Sequence, residues 1–309
     1  MNKRATLAFA AGAAALTAVG ASAWRSMGSA PGYESWARGQ RAPLAPQAGA
    51  PEWIRYATLA ASSHNTQPWR FSVVGNPAQP GAIALRPDFE RRTPAVDPDD
   101  HHLHVSLGCA AENLLLAAGL SGRAGHIESA DASGLRCGFA GAASADPLAE
   151  AIPWRQSTRG LYDSQPLPAT AVAALVRAAA LPGVEVVMLT ARPQLARLRE
   201  LVLAGNTAQM NDARFVAELR QWLRFNPAQA MALGDGLFSA TTGNPSVPAW
   251  LGPLAFRLAV TPASENAHLA AQLDACAGAV VLFAPHDDAA GWVQVGRACQ
   301  RLHHIKRQI

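Results

Sequence analysis

The chain has 309 residues, 50% of them hydrophobic and only 16% charged, which supplies apolar surface for one large core or two ordinary ones and excludes a disordered chain. Net charge is +4 and the isoelectric point about 9.2, yet the 26 Lys and Arg are scattered, and no basic run interleaves with aromatics as a nucleic-acid surface requires. Cys109, Cys137, Cys276 and Cys299 form no CxxC pair and are too sparse for a disulfide framework, so they read as small buried apolar residues.

At the N-terminus, Lys3 and Arg4 precede ATLAFAAGAAALTAVGASAW, which carries no charge before Arg25 and offers Ala21-Ser22-Ala23 as a small-residue cleavage site. Residues 1–23 are therefore expected to be an export signal. The uncharged stretch over residues 5–24 is also long enough to span a bilayer, so a cleaved leader and a retained membrane anchor both fit. Either way the body is expected outside the cytoplasm, periplasmic or membrane-anchored. A Lys-Arg pair where twin-arginine leaders carry Arg-Arg leaves that route open, and it is a route for folded, cofactor-loaded proteins.

Residues 24–50, rich in Gly, Ala and Pro without an apolar period, read as linker. The body opens near Pro51 with EWIRYATLAA, where Trp53, Ile54, Ala57 and Ala60 or Ala61 recur at helical spacing. WRFSVVG and AIALRPD are short apolar runs separated by Gly75-Asn76-Pro77, as two strands would be. Asp97 and Pro98 stand in N-cap and N1 roles for a long apolar core helix that stops near Gly122 or Gly125. GLRCGFA predicts a further strand, and GAASADP a joint, so residues 51–148 form a first unit.

Residues 149–309 form a second unit. A short basic segment and a Pro-rich turn lead to the helix ATAVAALVRAAAL, the strand VEVVMLT, a long helix from about Pro193 to Asn211, and the helix FVAELRQWLRF. A Pro and Gly loop follows over Gly243 to Pro253, then the helix SENAHLAAQLDAC, the strand AGAVVLFAP and a last helix from Gly291. Helices and strands are mixed, which gives the class α+β, and both units share the order helix, strand, core helix, strand.

Two stretches carry chemistry. WRQSTRGLYDSQPLP places Arg155, Ser157 and Arg159 at alternate positions, so in an extended segment two guanidiniums and a hydroxyl face one spot. That arrangement suits a phosphate, although a solvated basic turn has the same composition. ASSHNTQPWRF crowds Ser62, Ser63, His64, Asn65 and Gln67 ahead of Pro68 and Trp69. Pro68 biases Gln67 toward extended geometry and Trp69 anchors the loop. The array then either caps the following strand or grips a flat heterocycle, the amides of Asn65 and Gln67 matching the edges of a flavin or its ribityl chain. A third cluster, Asp97, Asp99, Asp100, His101, His102 and His104, has metal-ligand side chains, but they fall on several faces of a first helical turn and are expected to cap it.

Taken together, ASSHNTQPW and WRQSTRGLY resemble the FMN-dependent nitroreductase family, whose members carry PSSxNxQPW and RxSxR or RxSxK; Ala61 stands where Pro is usual. The family's ordinary order is Arg-Ser motif first. Here the order is reversed with about ninety residues between, which resembles the fused-pair branch, where two nitroreductase-like halves in one chain mimic the homodimer. RRTPAVDPDDHHLHVSLGCAAENLLLAAG resembles the central-helix region of that branch, and the resemblance runs from about Pro51 to Arg301.

The resemblance implies a nitroreductase-like fold built as a pseudo-dimer with one FMN between its halves. Arg155, Ser157 and Arg159 would hold the phosphate, and Ser62, Ser63, Asn65 and Gln67 would face the ring and ribityl chain. It implies hydride transfer through flavin N5 from a small-molecule donor such as a reduced nicotinamide to a nitroaromatic or quinone-like acceptor, with no side chain required as a catalytic acid. His64 reads either as a proton donor near the ring or, as loop histidines more often are, as incidental. The Gly243 to Pro253 loop resembles a lid, and a closed lid would favour flavin storage over turnover. Family members continue beyond the region of GRACQRLHHIKRQI through an apolar helix, further strands and a basic residue near the phosphate, so the second half is expected to be truncated, and an inactive chain is a further alternative.

Overall fold

In the computed structural model, which describes Trp24, residues 26–45 and residues 47–305, the expected opening helix is α2, Ala50–Ala57, preceded by α1, Ala30–Gln40. Helix α1 corrects the reading of residues 24–50 as linker throughout. Its start is local chemistry: Ser29 Oγ accepts from Gly32 N at 3.2 Å, and Pro31 occupies the first turn. Helix α2 buries Ala50, Trp53, Tyr56 and Ala57 on one face, and the Trp53 indole N–H is satisfied by Ser121 Oγ at 3.0 Å. The export-signal segment 1–23 lies outside the described residues.

The first unit is an antiparallel sheet of four strands covered by helices. Strands β1 (Trp69–Asn76) and β2 (Gln79–Pro87) form a hairpin, β3 (Arg123–Asp131) and β4 (Gly134–Ala142) a second, and the spatial order is β1-β2-β4-β3. Ile83, Leu85, Leu135, Cys137 and Phe139 on the central strands are buried. Strand β3 was not legible in the sequence, because as an edge strand it alternates half-buried and exposed residues with little apolar signal.

Helix α3, His101–Leu120, crosses the core, and most of its residues are buried. It is long and apolar enough to span a membrane by composition alone, yet its surface is covered by the protein. Its N-cap is Asp100, at φ +61°, not Asp97, and Pro98 stands outside the helix. Asp97 still serves the helix from upstream, its carboxylate accepting from the backbone N–H groups of His102 and Leu103, each at 3.0 Å.

The second unit contains α4 (Ala169–Ala179), β5 (Glu185–Leu189), α5 (Arg192–Asn211), α6 (Ala213–Gln221), β6 (Leu223–Arg224), α7 (Pro227–Leu233), β7 (Leu237–Phe238), α8 (Gly252–Ala259), α9 (Pro262–Asp274), β8 (Ala279–Phe283) and α10 (Ala289–Ile305). β5 pairs antiparallel with β8, and the two-residue strands β6 and β7 pair in parallel. Helix and sheet are thus mixed in both units, as the α+β class requires.

Helix α10 packs along α3, and Val293 of α10 joins the same buried core as Leu107 and Leu114. Its polar residues are buried there with partners: Gln300 Nε2 donates to Asn113 Oδ1 at 3.0 Å, His304 Nε2 lies 2.7 Å from the same oxygen, and Asn113 Nδ2 donates to Tyr56 O at 2.9 Å. Beside them Glu112 accepts from Arg297 and Arg301, each at 2.8 Å, and Arg301 also reaches Asp146 at 3.1 Å. Such a network tolerates burial where isolated polar groups would not, although His304 Nδ1 has no partner in it.

Candidate functional site

The loop after α2 is strained. His64, Asn65 and Gln67 have φ of +46°, +52° and +53°, a region that costs about 1 kcal/mol or more for residues bearing a Cβ. Gln67 is therefore not extended, although Pro68 follows it. The strain is held by hydrogen bonds inside the loop, with Asn65 N donating to Ser62 O at 3.0 Å, Thr66 N to Ser63 O at 2.9 Å and Gln67 N to Ser62 Oγ at 3.2 Å. Ser63 N donates to Ser106 Oγ of α3 at 3.3 Å.

A second set ties the loop to residues 234–236. Asn65 Nδ2 donates to Gly236 O at 3.0 Å while Gly236 N returns a bond to Asn65 O at 2.9 Å, and Gln67 Nε2 donates to Gly234 O at 2.6 Å. Gly236 sits at φ +74°, and a Cβ there would lie 2.4 Å from Trp222 O, so both its conformation and its surroundings require glycine. Asp235 completes the clasp, paired with Arg91 and, at 2.6 Å, with Arg224; Arg91 Nε also donates to Thr66 O at 2.6 Å.

Facing this loop is the segment that follows the 3₁₀ turns of Pro147–Trp154. A cleft of about 940 Å³ lies between them, lined from one side by Ser62, His64 and Asn65 and from the other by Arg155, Ser157 and Arg159. The structure thus brings both sequence-predicted motifs to one cavity. Ser63 and Gln67 are not among its lining residues: the Gln67 amide is spent on Gly234, and Ser63 meets α3 through its backbone N–H, so they position the loop.

Arg155 does not present a free fork. Its Nε and Nη2 donate to Leu59 O at 3.1 and 2.9 Å, leaving Nη1 buried with no protein partner. Burial and the neighbouring charge of Arg41 pull its pKa down from the ordinary arginine range, though arginine stays charged at any physiological pH. Nη1 is closed off from solvent, so what Arg155 brings to the cleft wall is a fixed positive charge held in place by Leu59 O. Ser157 and Arg159 are exposed on the same wall, and Arg159 O accepts from Gln272 of α9 at 2.8 Å.

Sequence reasoning missed the third wall, which is α1. Tyr33, Glu34, Ala37, Arg38 and Arg41 line the cleft; the Tyr33 ring packs on Phe238 with centroids 4.7 Å apart, and Arg41 donates to Pro153 O and Arg155 O at 3.0 and 2.8 Å. The Ser29-Ala30-Pro31 start was a legible signal, but α1 buries no residue and so shows no apolar stripe. With Arg38, Arg41, Arg155 and Arg159 against the single carboxylate of Glu34, the cleft is suited to a ligand with anionic groups.

A second, more apolar cavity of about 440 Å³ adjoins it, sharing Arg159, Leu237, Phe238 and Thr241. Phe225, Phe256 and Val260 line it, together with Asn244, Pro245 and Val247 of the loop expected as a lid. That loop is pinned: Val247 N donates to Phe225 O and Asn226 Nδ2 to Val247 O, both at 3.0 Å.

In the Asp and His cluster at the start of α3, Asp97 is engaged by the helix amides and by the His102 ring at 3.2 Å. Burial opposes ionisation of Asp97, but these hydrogen bonds outweigh it and hold its carboxyl below the usual range. Asp100 faces Arg92 at 3.4 Å and His101 stacks on Trp292.

No established family profile matches the chain. Two curated proteins, each named "Putative NAD(P)H nitroreductase", from Mycobacterium tuberculosis strains CDC 1551 / Oshkosh and ATCC 25618 / H37Rv, are 31% identical to it over 179 residues. The alignment covers 55% of this chain and 49% of each relative, so the chain spans about half the length of the curated relatives it matches.

Proposed function

We propose that the chain is an FMN-binding oxidoreductase of the nitroreductase type, taking electrons from a reduced nicotinamide and delivering them to a nitroaromatic or quinone-like acceptor. The observation that carries this reading is the convergence of Ser62 and Asn65 with Arg155, Ser157 and Arg159 on one cleft, in a chain similar to proteins named as NAD(P)H nitroreductases.

The residues present fit the cofactor. The charge of Arg155, with Ser157 and Arg159, would hold the phosphate; Ser62 and the Asn65 loop would lie along the polar parts of the ring and ribityl chain. When bound, FMN supplies hydride acceptance and donation at N5. The chain's own task is to orient and to exclude water. Tyr33, Leu237 and Phe238 give the cleft an apolar side, and the clasp of residues 234–236 keeps the Asn65 loop in its strained geometry. Burial first, then the charges of His102 and Arg159, lower the pKa of His64, so its imidazole is neutral near pH 7 and adds hydrogen bonding without charge.

The internal crossing of α3 with α10 supports the further reading that two related halves form a pseudo-dimer, and the leader's composition supports export of the body. Reconstitution with FMN followed by desalting tests the cofactor. Turnover of reduced nicotinamide with a nitroaromatic then separates an oxidoreductase from a flavin-storing protein, the reading favoured by the pinned loop at Val247.

A further inference from the structure

Cys109 and Cys299 come from the two packed helices α3 and α10, and neither has a part in the cleft chemistry above. Cys109 is buried on α3, and its thiol donates to Gly296 O of α10 at 3.1 Å, against the turn of that helix that carries Cys299, whose thiol acts on it. The backbones around them approach closely because Gly108 and Gly296 carry no Cβ. Cys299 is half-buried as a residue and Cys109 is fully buried, so Cys299 is the less enclosed of the pair.

We propose that Cys109 and Cys299 are a dithiol site that closes into a disulfide across the α3–α10 interface by exchange with a small-molecule disulfide. The Cys299 thiolate attacks one sulfur of the incoming disulfide, forming a mixed disulfide and releasing the first small thiolate. Cys109 then attacks Cys299 Sγ, forming the protein disulfide and expelling the second small thiolate. The protons lost by the two cysteines end on the two released thiols, and the small disulfide takes up the two electrons.

The roles follow from position. Contact with the Cys109 thiol, opposed by burial and helped by the His303 imidazole, holds the Cys299 thiol below the ordinary cysteine range, while Cys109 is pushed well above it, first by the Cys299 contact and then by burial. Cys299, the less enclosed and more acidic thiol, is the one that meets the reagent, and Cys109 resolves. Cys137 and Cys276, without such a neighbour, are the internal controls: burial raises the thiol of Cys137 to about 12 and also raises that of Cys276.

The test treats the reduced full chain, under native conditions, with oxidised glutathione, then blocks remaining thiols with iodoacetamide and digests with trypsin without reductant. The expected result is loss of two of the four thiols and a peptide of residues 93–123 joined to residues 298–301, cleaved by dithiothreitol. In Cys109→Ser, or in Cys109→Ala if serine unfolds the core, Cys299 is expected to keep a stable glutathione adduct. Alkylation of both Cys109 and Cys299 in the wild type, or a glutathione adduct that persists on wild-type Cys299, would overturn the proposal. The readout is a peptide mass and does not depend on flavin.

Discussion

Gly108 of α3 and Gly296 of α10 meet as a reciprocal pair. A Cβ on Gly108 would lie 2.1 Å from Val293 O, three residues before Gly296, and a Cβ on Gly296 would lie 2.0 Å from Val105 O, three residues before Gly108. The surrounding sequences echo each other, VSLGCAAENL at residues 105–114 and VQVGRACQRL at residues 293–302 sharing Val, Gly, Ala and Leu in register. A contact in which each helix offers the same residue to the same position of the other is the local form that the proposed pairing of two related halves would take.

Because the atoms in the way are backbone, no rotamer change relieves either substitution. Gly108→Ala and Gly296→Ala are each expected to lose about 2 to 3 kcal/mol in urea unfolding. Gly205→Ala on α5, where an added Cβ meets nothing within 4 Å, is expected to gain about 0.5 to 1 kcal/mol from helix propensity.

Glu112 is buried between two guanidiniums. Glu112→Gln leaves Arg297 without a carboxylate and Arg301 with Asp146 alone, and is expected to lose about 3 kcal/mol. The exposed pair Arg197 and Glu200 is the control, and Glu200→Gln is expected to change stability by less than about 0.5 kcal/mol.

His304 gives a pH signature. Burial first, with the charge of Arg155 next, lowers its pKa to about 3 in the folded protein, while the unfolded chain titrates near 6.5. Between those values the unfolded state binds more protons, so this contribution to stability is complete above about 6.5 and is lost as pH falls toward 3, by up to about 1.4 kcal/mol per pH unit. Denaturant midpoints measured across this range are expected to fall with pH in the wild type and more shallowly in His304→Gln.

Gly236 tests the clasp. Gly236→Ala must abandon φ +74° or displace Trp222 O, breaking the paired bonds with Asn65. Proteolysis of the Ser62–Gln67 loop is expected to accelerate while the α3–α10 core keeps its far-ultraviolet circular dichroism, which a global unfolding would not.

Much of this was legible in residues with a local reason to form their element. Trp53 and Ala57 at helical spacing, the apolar runs of β1, β2 and β4, and the uninterrupted apolar helix from His101 announce themselves because burial fixes their period. What escaped depends on partners distant in sequence. Helix α1 has a capping serine but no apolar stripe, and its Arg38 and Arg41 join the cleft only through packing against residues near 155 and 238. Gln67 shows the same limit: its amide suits a ligand or a carbonyl equally, and only the position of Gly234 decides. Cys109 and Cys299 read singly as apolar filler; their contact exists only once α10 returns to α3.

The measurement that bears most directly on the proposed function is FMN retention after desalting, followed by visible absorption, in the wild type and in Arg155→Ala and Arg159→Ala. The wild type is expected to keep its flavin bands, with affinity reduced about ten- to a hundredfold when Arg155 is removed, as for loss of a fixed charge at the cleft wall, and less when the exposed Arg159 is removed. A folded wild-type protein that emerges colourless, or flavin retention unchanged in both variants, would contradict the assignment of this cleft to FMN.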